Sequence, residues 1–205
     1  MTAPALTAIT DLVLAAEVLF LAGRMSAMPK ARLSAAWFWS GVMLLMGLAG
    51  LIGGIDHGFF ETAGLPRFWI ERPNWMVLAA MTFCLLMSIA AQFFGPRARG
   101  AMAVVGAVQF AVDVILVWRV DSFLVVILNY APVMILLLAM NLAGLKKSTG
   151  SWQMIAGILA MFAASGVQAA GIDTFAPLDH NGLYHVISMV GVVLLYLGGR
   201  RLKVA

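Results

Sequence analysis

Charge is what this chain lacks. Only 11% of its 205 residues are Asp, Glu, Lys or Arg, against about 25% in an ordinary soluble domain. So few charges cannot coat a soluble surface, and with 63% hydrophobic residues lipid has to act as solvent for much of the chain. Cysteine is nearly absent as well. The single Cys84 rules out an intrachain disulfide and reads as a small buried hydrophobe. The start of the chain has neither a basic n-region nor a clear small-residue cleavage site, so it reads as a retained first helix, not a signal peptide. Linkers, low-complexity stretches and internal repeats are missing too, which leaves a single domain over 1–205. The net charge of +4 implies no nucleic-acid partner. Its basic residues sit in short segments between apolar stretches, where a membrane protein uses them for orientation.

What the chain does have is long apolar runs. A membrane-crossing helix needs about 20 mostly apolar residues. Seven stretches qualify: 4–23, 34–57, 75–95, 101–119, 122–144, 152–171 and 179–198. Turn chemistry separates them at Pro29-Lys30, Pro66 and Pro73, Gly95-Pro96, Lys146 to Gly150, and Pro177. Lipid cannot satisfy open backbone groups, so the spans are helices or barrel strands. Strands would be about half as long and would alternate. The expectation is an all-α, polytopic membrane protein with seven transmembrane helices.

Its direction follows from charge. With the N-terminus outside and the C-terminus inside, ten of the thirteen basic residues are cytoplasmic: Arg24, Lys30, Arg32, Arg97, Arg99, Lys146, Lys147, Arg200, Arg201 and Lys203. All nine acidic residues fall on the outer side or within a span. Trp37, Trp39 and Trp152 mark one interface, and Trp69, Trp75 and Trp118 the other. The expected location is a bacterial plasma (inner) membrane. Gly47, Gly50, Gly53 and Gly54 give the second helix a small-residue face for close packing. Phe59 to Asn74 is expected to lie along the outer interface.

Ionisable residues inside a membrane are expensive, so each is a functional hypothesis. The three histidines, His57, His180 and His185, share one level at the outer ends of the second and seventh helices. Asp11, Asp113, Asn129, Tyr130 and Gln168 approach the same layer from four other helices, and Asn181 from the seventh. Facing inward, they would line a cavity, with Glu17 and Gln109 deeper. Three neutral imidazoles around an open position suit a catalytic zinc. The ion would generate a nucleophilic water and polarise a carbonyl. Asp113, Asp56 or Asp11 would act as general base or orient a ring. Such a centre would cleave an amide or ester bond of a membrane lipid. The bland alternatives are interfacial or capping histidines, Asp179 as a plain N-cap, and Asp121, Asp173, Glu61 and Glu71 as solvated charges.

Two segments, Gly-Gly-Ile-Asp-His-Gly (Gly53 to Gly58) and Asp-His-Asn-Gly-Leu-Tyr-His (Asp179 to His185), carry a family likeness. With the seven-helix topology, they resemble the alkaline ceramidase and adiponectin/progestin receptor superfamily of membrane hydrolases. The resemblance implies zinc on His57 and a histidine pair of the last helix, and action on lipid amides. It also implies a serine four residues before the helix 2 histidine and an aspartate on helix 3. Here the serine position is Gly53, Asn181 stands four residues before His185, and no aspartate lies between Trp75 and Phe94.

Other functions compete. A non-catalytic reading makes the chain a lipid or small-molecule receptor, or an accessory subunit. Its partners are then membrane lipid and another membrane protein or a second copy. Haem ligation by His57 and His185 ranks below both. A Schiff-base retinal protein is excluded in its usual form, because Lys30, Lys146, Lys147 and Lys203 are all at the cytoplasmic side.

Overall fold

A computed structural model describes residues 3–147 and 149–205. It is all-helical: α1 (Ala3–Ser26), α2 (Ala35–Ile55), α3 (Phe68–Phe93), α4 (Pro96–Arg119), α5 (Leu124–Gly144), α6 (Trp152–Ala169) and α7 (His180–Gly199). All seven are long and apolar enough to cross a membrane. A π-helical turn, Asp56–Glu61, extends α2, and a 3-10 turn, Leu145–Lys147, follows α5.

Glycines set the helix seams. A Cβ on Gly47 would meet Leu19, on Gly50 Ala15, on Gly53 Asp11, and on Gly54 Leu12. The glycine face of α2 is therefore the surface against which α1 packs, antiparallel to it. Gly157, Gly191 and Gly198 do the same between α6 and α7, where a Cβ on Gly198 would come within 2.8 Å of the Met154 backbone nitrogen. The first and last helices also touch, and they run in the same direction. Thr7 reaches Asp179, and Thr10 reaches His185. The bundle thus closes on itself, with its core built on Val18, Trp39, Met43, Leu85, Met134 and Leu195.

The fourth helix is peripheral. Val104, Val105, Val108, Val112 and Ile115 on it are exposed, as a lipid-facing surface would be. Polar ties hold it. Arg72, only 2% exposed, donates to the carbonyls of Val117 and Val120 at the end of α4 and pairs with Asp121. Its guanidinium stacks 4.3 Å from the Trp75 ring. On the α5 side, Asp113, Asn129 and Gln109 bond to one another.

The segment Phe59–Asn74 departs from expectation. Phe59 to Glu61 complete the π turn, and Phe68 to Asn74 already belong to α3. Pro73 lies inside that helix and does not end the loop before it. As the sixth residue of α3, Pro73 removes the helix bond to the Trp69 carbonyl, and the bonds of Arg72 to Val117 and Val120 hold this turn against the end of α4.

Candidate functional site

The π turn decides how α2 ends. A wider turn re-aims side chains that a regular α-helix would spread, and such turns recur at functional sites. His57 and Glu61 fall within it, and the Glu61 carboxylate bonds His57 Nδ1. Asp56, 5% exposed, is occupied elsewhere. Arg67 grips it through two nitrogens, Nε to Oδ1 at 2.9 Å and Nη2 to Oδ2 at 2.7 Å. Arg67 also approaches Glu61 at 3.6 Å and Glu71 at 3.4 Å. These bonds, the Asp56 bond foremost, hold the guanidinium above its ordinary pKa.

Asp11 enters from α1. Its Oδ1 is 3.1 Å from His185 Nε2, and its Oδ2 is 3.9 Å from His57 Nε2. One buried carboxylate thus stands between imidazoles from the second and the last helix. Gly53 makes room for it: a Cβ there would lie 3.3 Å from Asp11 Oδ2.

Hydrogen-bond bookkeeping narrows the ring states. Thr10 has one hydroxyl hydrogen and three acceptors in reach, the Leu6 and Thr7 carbonyls at 3.2 and 2.9 Å and His185 Nδ1 at 2.8 Å. With the hydrogen on a carbonyl, Thr10 Oγ1 accepts from His185 Nδ1–H; with it on the ring, His185 Nε2–H donates to Asp11 at 3.1 Å. Glu61 accepts from His57 Nδ1–H. A neutral imidazole that donates from Nδ1 presents a lone pair at Nε2. In the tautomer with both Nδ1 atoms protonated, both Nε2 lone pairs face the Asp11 carboxylate, an arrangement that attracts a proton or a cation.

The other sequence candidates divide. His180, the first residue of α7, turns outward: its Nδ1 and backbone N–H both bond Asp173 Oδ1, at 2.8 and 2.6 Å. Those two bonds hold the Asp173 carboxyl below its usual range. Asp113 is buried against Asn129, whose amide donates to it at 3.1 Å. Gln168 donates to Asn181 at 3.0 Å on the exposed rim. Tyr130 packs against the apolar core. Asp179 caps α7, accepting from Gly182 N–H at 2.8 Å. The single polar layer of the sequence reading is therefore several groups, and only Asp11, His57 and His185 form the imidazole cluster.

Among the described residues, no three His, Cys, Asp or Glu side chains stand together as a ready-made metal set. The donor chemistry at Asp11 nonetheless fits a cation. Two imidazole nitrogens and a carboxylate face one another, and each ring is anchored through its other nitrogen, as metal-binding histidines usually are.

A family model matches residues 6–204, nearly the whole chain. The chain belongs to DUF6962, a family of unknown function. No curated protein and no solved structure matches it. In this DUF6962 chain, sequence reasoning passes over Thr10 and the grip of Arg67 on Asp56, and reads Glu61 as a solvated charge, whereas it bonds His57. Glu61 carried a signal, its spacing four residues after His57, which puts the two on one helix face. Thr10 carried none, because a threonine in an apolar helix usually bonds its own backbone.

Proposed function

We propose that the chain is a multi-pass integral membrane protein, N-terminus outside and C-terminus in the cytoplasm, that hydrolyses an amide or ester bond of a lipid at a zinc centre. It would be a distant branch of the ceramidase and adiponectin-receptor-like superfamily. The orientation is supported by ten of thirteen basic residues sharing one end of the bundle. The centre is supported by one observation above all: His57 Nε2 and His185 Nε2 both face the Asp11 carboxylate. This reading replaces His180 with Asp11 in the ligand set.

Each residue has a distinct task. His57, His185 and Asp11 would hold the ion. Thr10 and Glu61 would anchor the two rings through Nδ1, leaving Nε2 for the ion. Arg67 neutralises Asp56 and steadies the π turn beside the site. When bound, zinc lowers the pKa of a water to about 7 and polarises the scissile carbonyl. The level of the centre, one turn or two inside the helix ends, suits a substrate whose headgroup lies at the surface and whose chain lies in lipid.

Metal content of the purified protein tests this. Wild type and His180→Ala are expected to carry about one zinc per chain, while His57→Ala and His185→Ala carry none. Zinc-free wild type, or loss of zinc on His180→Ala, overturns the centre as drawn.

A second reading is favoured by the 3.9 Å gap between His57 and Asp11. A shared proton, not a metal, then satisfies the cluster, and the chain is a non-catalytic receptor or subunit. A zinc-free protein that hydrolyses no member of a lipid amide and ester panel would establish it.

A further inference from the structure

At the opposite end of the bundle, a cavity of about 300 Å³ opens where α3, α5, α6 and α7 meet. Its walls include Gln92, Asn141, Thr149, Ser151, Trp152 and Arg201. We propose that this cavity binds the phosphate of an anionic lipid headgroup.

The two carboxamides are built in. Gln92 and Asn141 are 4% and 1% exposed. Gln92 Nε2 donates to the Thr149 carbonyl at 2.9 Å, and its Oε1 accepts from Lys203 N–H at 2.9 Å. Asn141 Nδ2 donates to the Leu137 carbonyl at 2.9 Å, and its Oδ1 accepts from Ser151 N–H at 3.1 Å. Each amide nitrogen has two hydrogens, so each keeps one donor beyond these bonds. The carboxamides are therefore held in place with donors to spare, which is the chemistry a phosphate oxygen needs.

Charge points the same way. The nine acidic residues, Asp11, Glu17, Asp56, Glu61, Glu71, Asp113, Asp121, Asp173 and Asp179, all lie in the histidine half or near mid-helix. Among the described residues no Asp or Glu side chain stands at the basic end to balance its cations. Lys30 gives its ammonium to three backbone carbonyls, and Arg99 and Lys203 give part of theirs to the Phe94, Ala91 and Gln92 carbonyls. Arg201 lines the cavity wall; its backbone N–H bonds the Gly198 carbonyl at 3.0 Å, and its exposed guanidinium pairs with no carboxylate among the described residues. That leaves the guanidinium available to an anion entering the cavity. The cavity sits at the ends of four helices, the depth of a headgroup, and Trp152, 67% exposed, stands at its rim as an interfacial aromatic does. A lipid is the source that brings a phosphate to this depth.

The proposal rests on the chain spanning a membrane and not on the histidine centre. Native mass spectrometry of the whole protein, released from nanodiscs of mixed phosphatidylglycerol and phosphatidylcholine, tests it. Wild type is expected to retain phosphatidylglycerol preferentially. Arg201→Gln is expected to weaken that retention at least about tenfold, which corresponds to about 1.4 kcal/mol, the low end of a charge-assisted hydrogen bond. Arg201→Lys should keep most of it, and Arg97→Gln, elsewhere on the same end, should leave it unchanged. Equal loss in Arg97→Gln and Arg201→Gln would mean general surface attraction and would overturn the site. So would inorganic phosphate binding to the cavity while phosphatidylglycerol does not. Zinc content is read on the same samples, so a failed histidine centre and a failed lipid site are told apart.

Discussion

Asp11 and His185 meet at 3.1 Å although 174 positions separate them in the chain. Behind the ring, Thr10 holds Nδ1. Outer partners of this kind are typically worth 10- to 100-fold in metal affinity. Thr10→Val, which keeps the shape and loses the acceptor, is expected to weaken zinc retention by about that range in a chelator competition. Asp11→Asn is expected to weaken it further, since it removes a ligand charge and places an amide between the rings. Unchanged retention in both variants would sink the zinc reading.

Gly53 matters for what it leaves open. A Cβ there would stand 3.3 Å from Asp11 Oδ2, tighter than ordinary contact. Gly53→Ser, which installs the serine that the superfamily resemblance implies, is expected to displace Asp11 and not to restore a hydrolase-like site. Zinc content should fall while the helical far-UV spectrum stays as it was. A gain in zinc would reverse the assignment of Asp11.

Arg72 ties α4 to α3. It donates to Val117 and Val120 carbonyls at 2.8 and 2.9 Å and pairs with Asp121. Charge-assisted bonds contribute about 1.5–3 kcal/mol each. Arg72→Met, which keeps the apolar stem, is therefore expected to cost about 2–3 kcal/mol in a reversible unfolding assay in detergent or bicelles. Asp121→Asn should cost much less, because that partner is exposed.

Asn129 is the matching tie between α4 and α5. Side-chain bonds between membrane helices average about 0.6 kcal/mol and reach about 1.7. Asn129→Leu should fall toward the upper value, because it strands the Asp113 carboxylate as well as Gln109. Engineered disulfide crosslinking between the two helices would report the loosening.

The loop before α7 should respond to acid. Asp173 has its carboxyl held below the usual range by the His180 N–H and ring. A depressed carboxyl stabilises the fold above its unfolded pKa, and that contribution is lost as pH falls through the folded value. Amide protection at His180 is therefore expected to hold down to the ordinary carboxylate range and to drop in stronger acid. Asp173→Asn should abolish that step.

Much of this arrangement was legible in the chain. Hydropathy located every helix, because lipid demands about 20 apolar residues per crossing whatever the neighbours are. The glycines of α2 announced a close seam, and Leu19, Ala15, Asp11 and Leu12 occupy it. Helix starts near charged or aromatic residues were harder. The first turns of α3 carry Arg72 and Glu71, which hydropathy reads as loop, yet the Val117 and Val120 carbonyls and Arg67 satisfy them. At the site, depth was readable and direction was not. His57, His180 and His185 share a level, but which way each ring faces depends on partners such as Asp173 and Thr10 that spacing does not reveal.

The parallel contact of α1 with α7 has a consequence for biogenesis. A nascent chain emerging only as far as α6 already has Asp11 and His57 but lacks His185, so the carboxylate waits in the bundle without its nearer imidazole. Arrival of the final helix completes the cluster and closes the ring in one event. The cluster is thus a readout of finished assembly: a form of this protein without α7 lacks His185 and cannot display it.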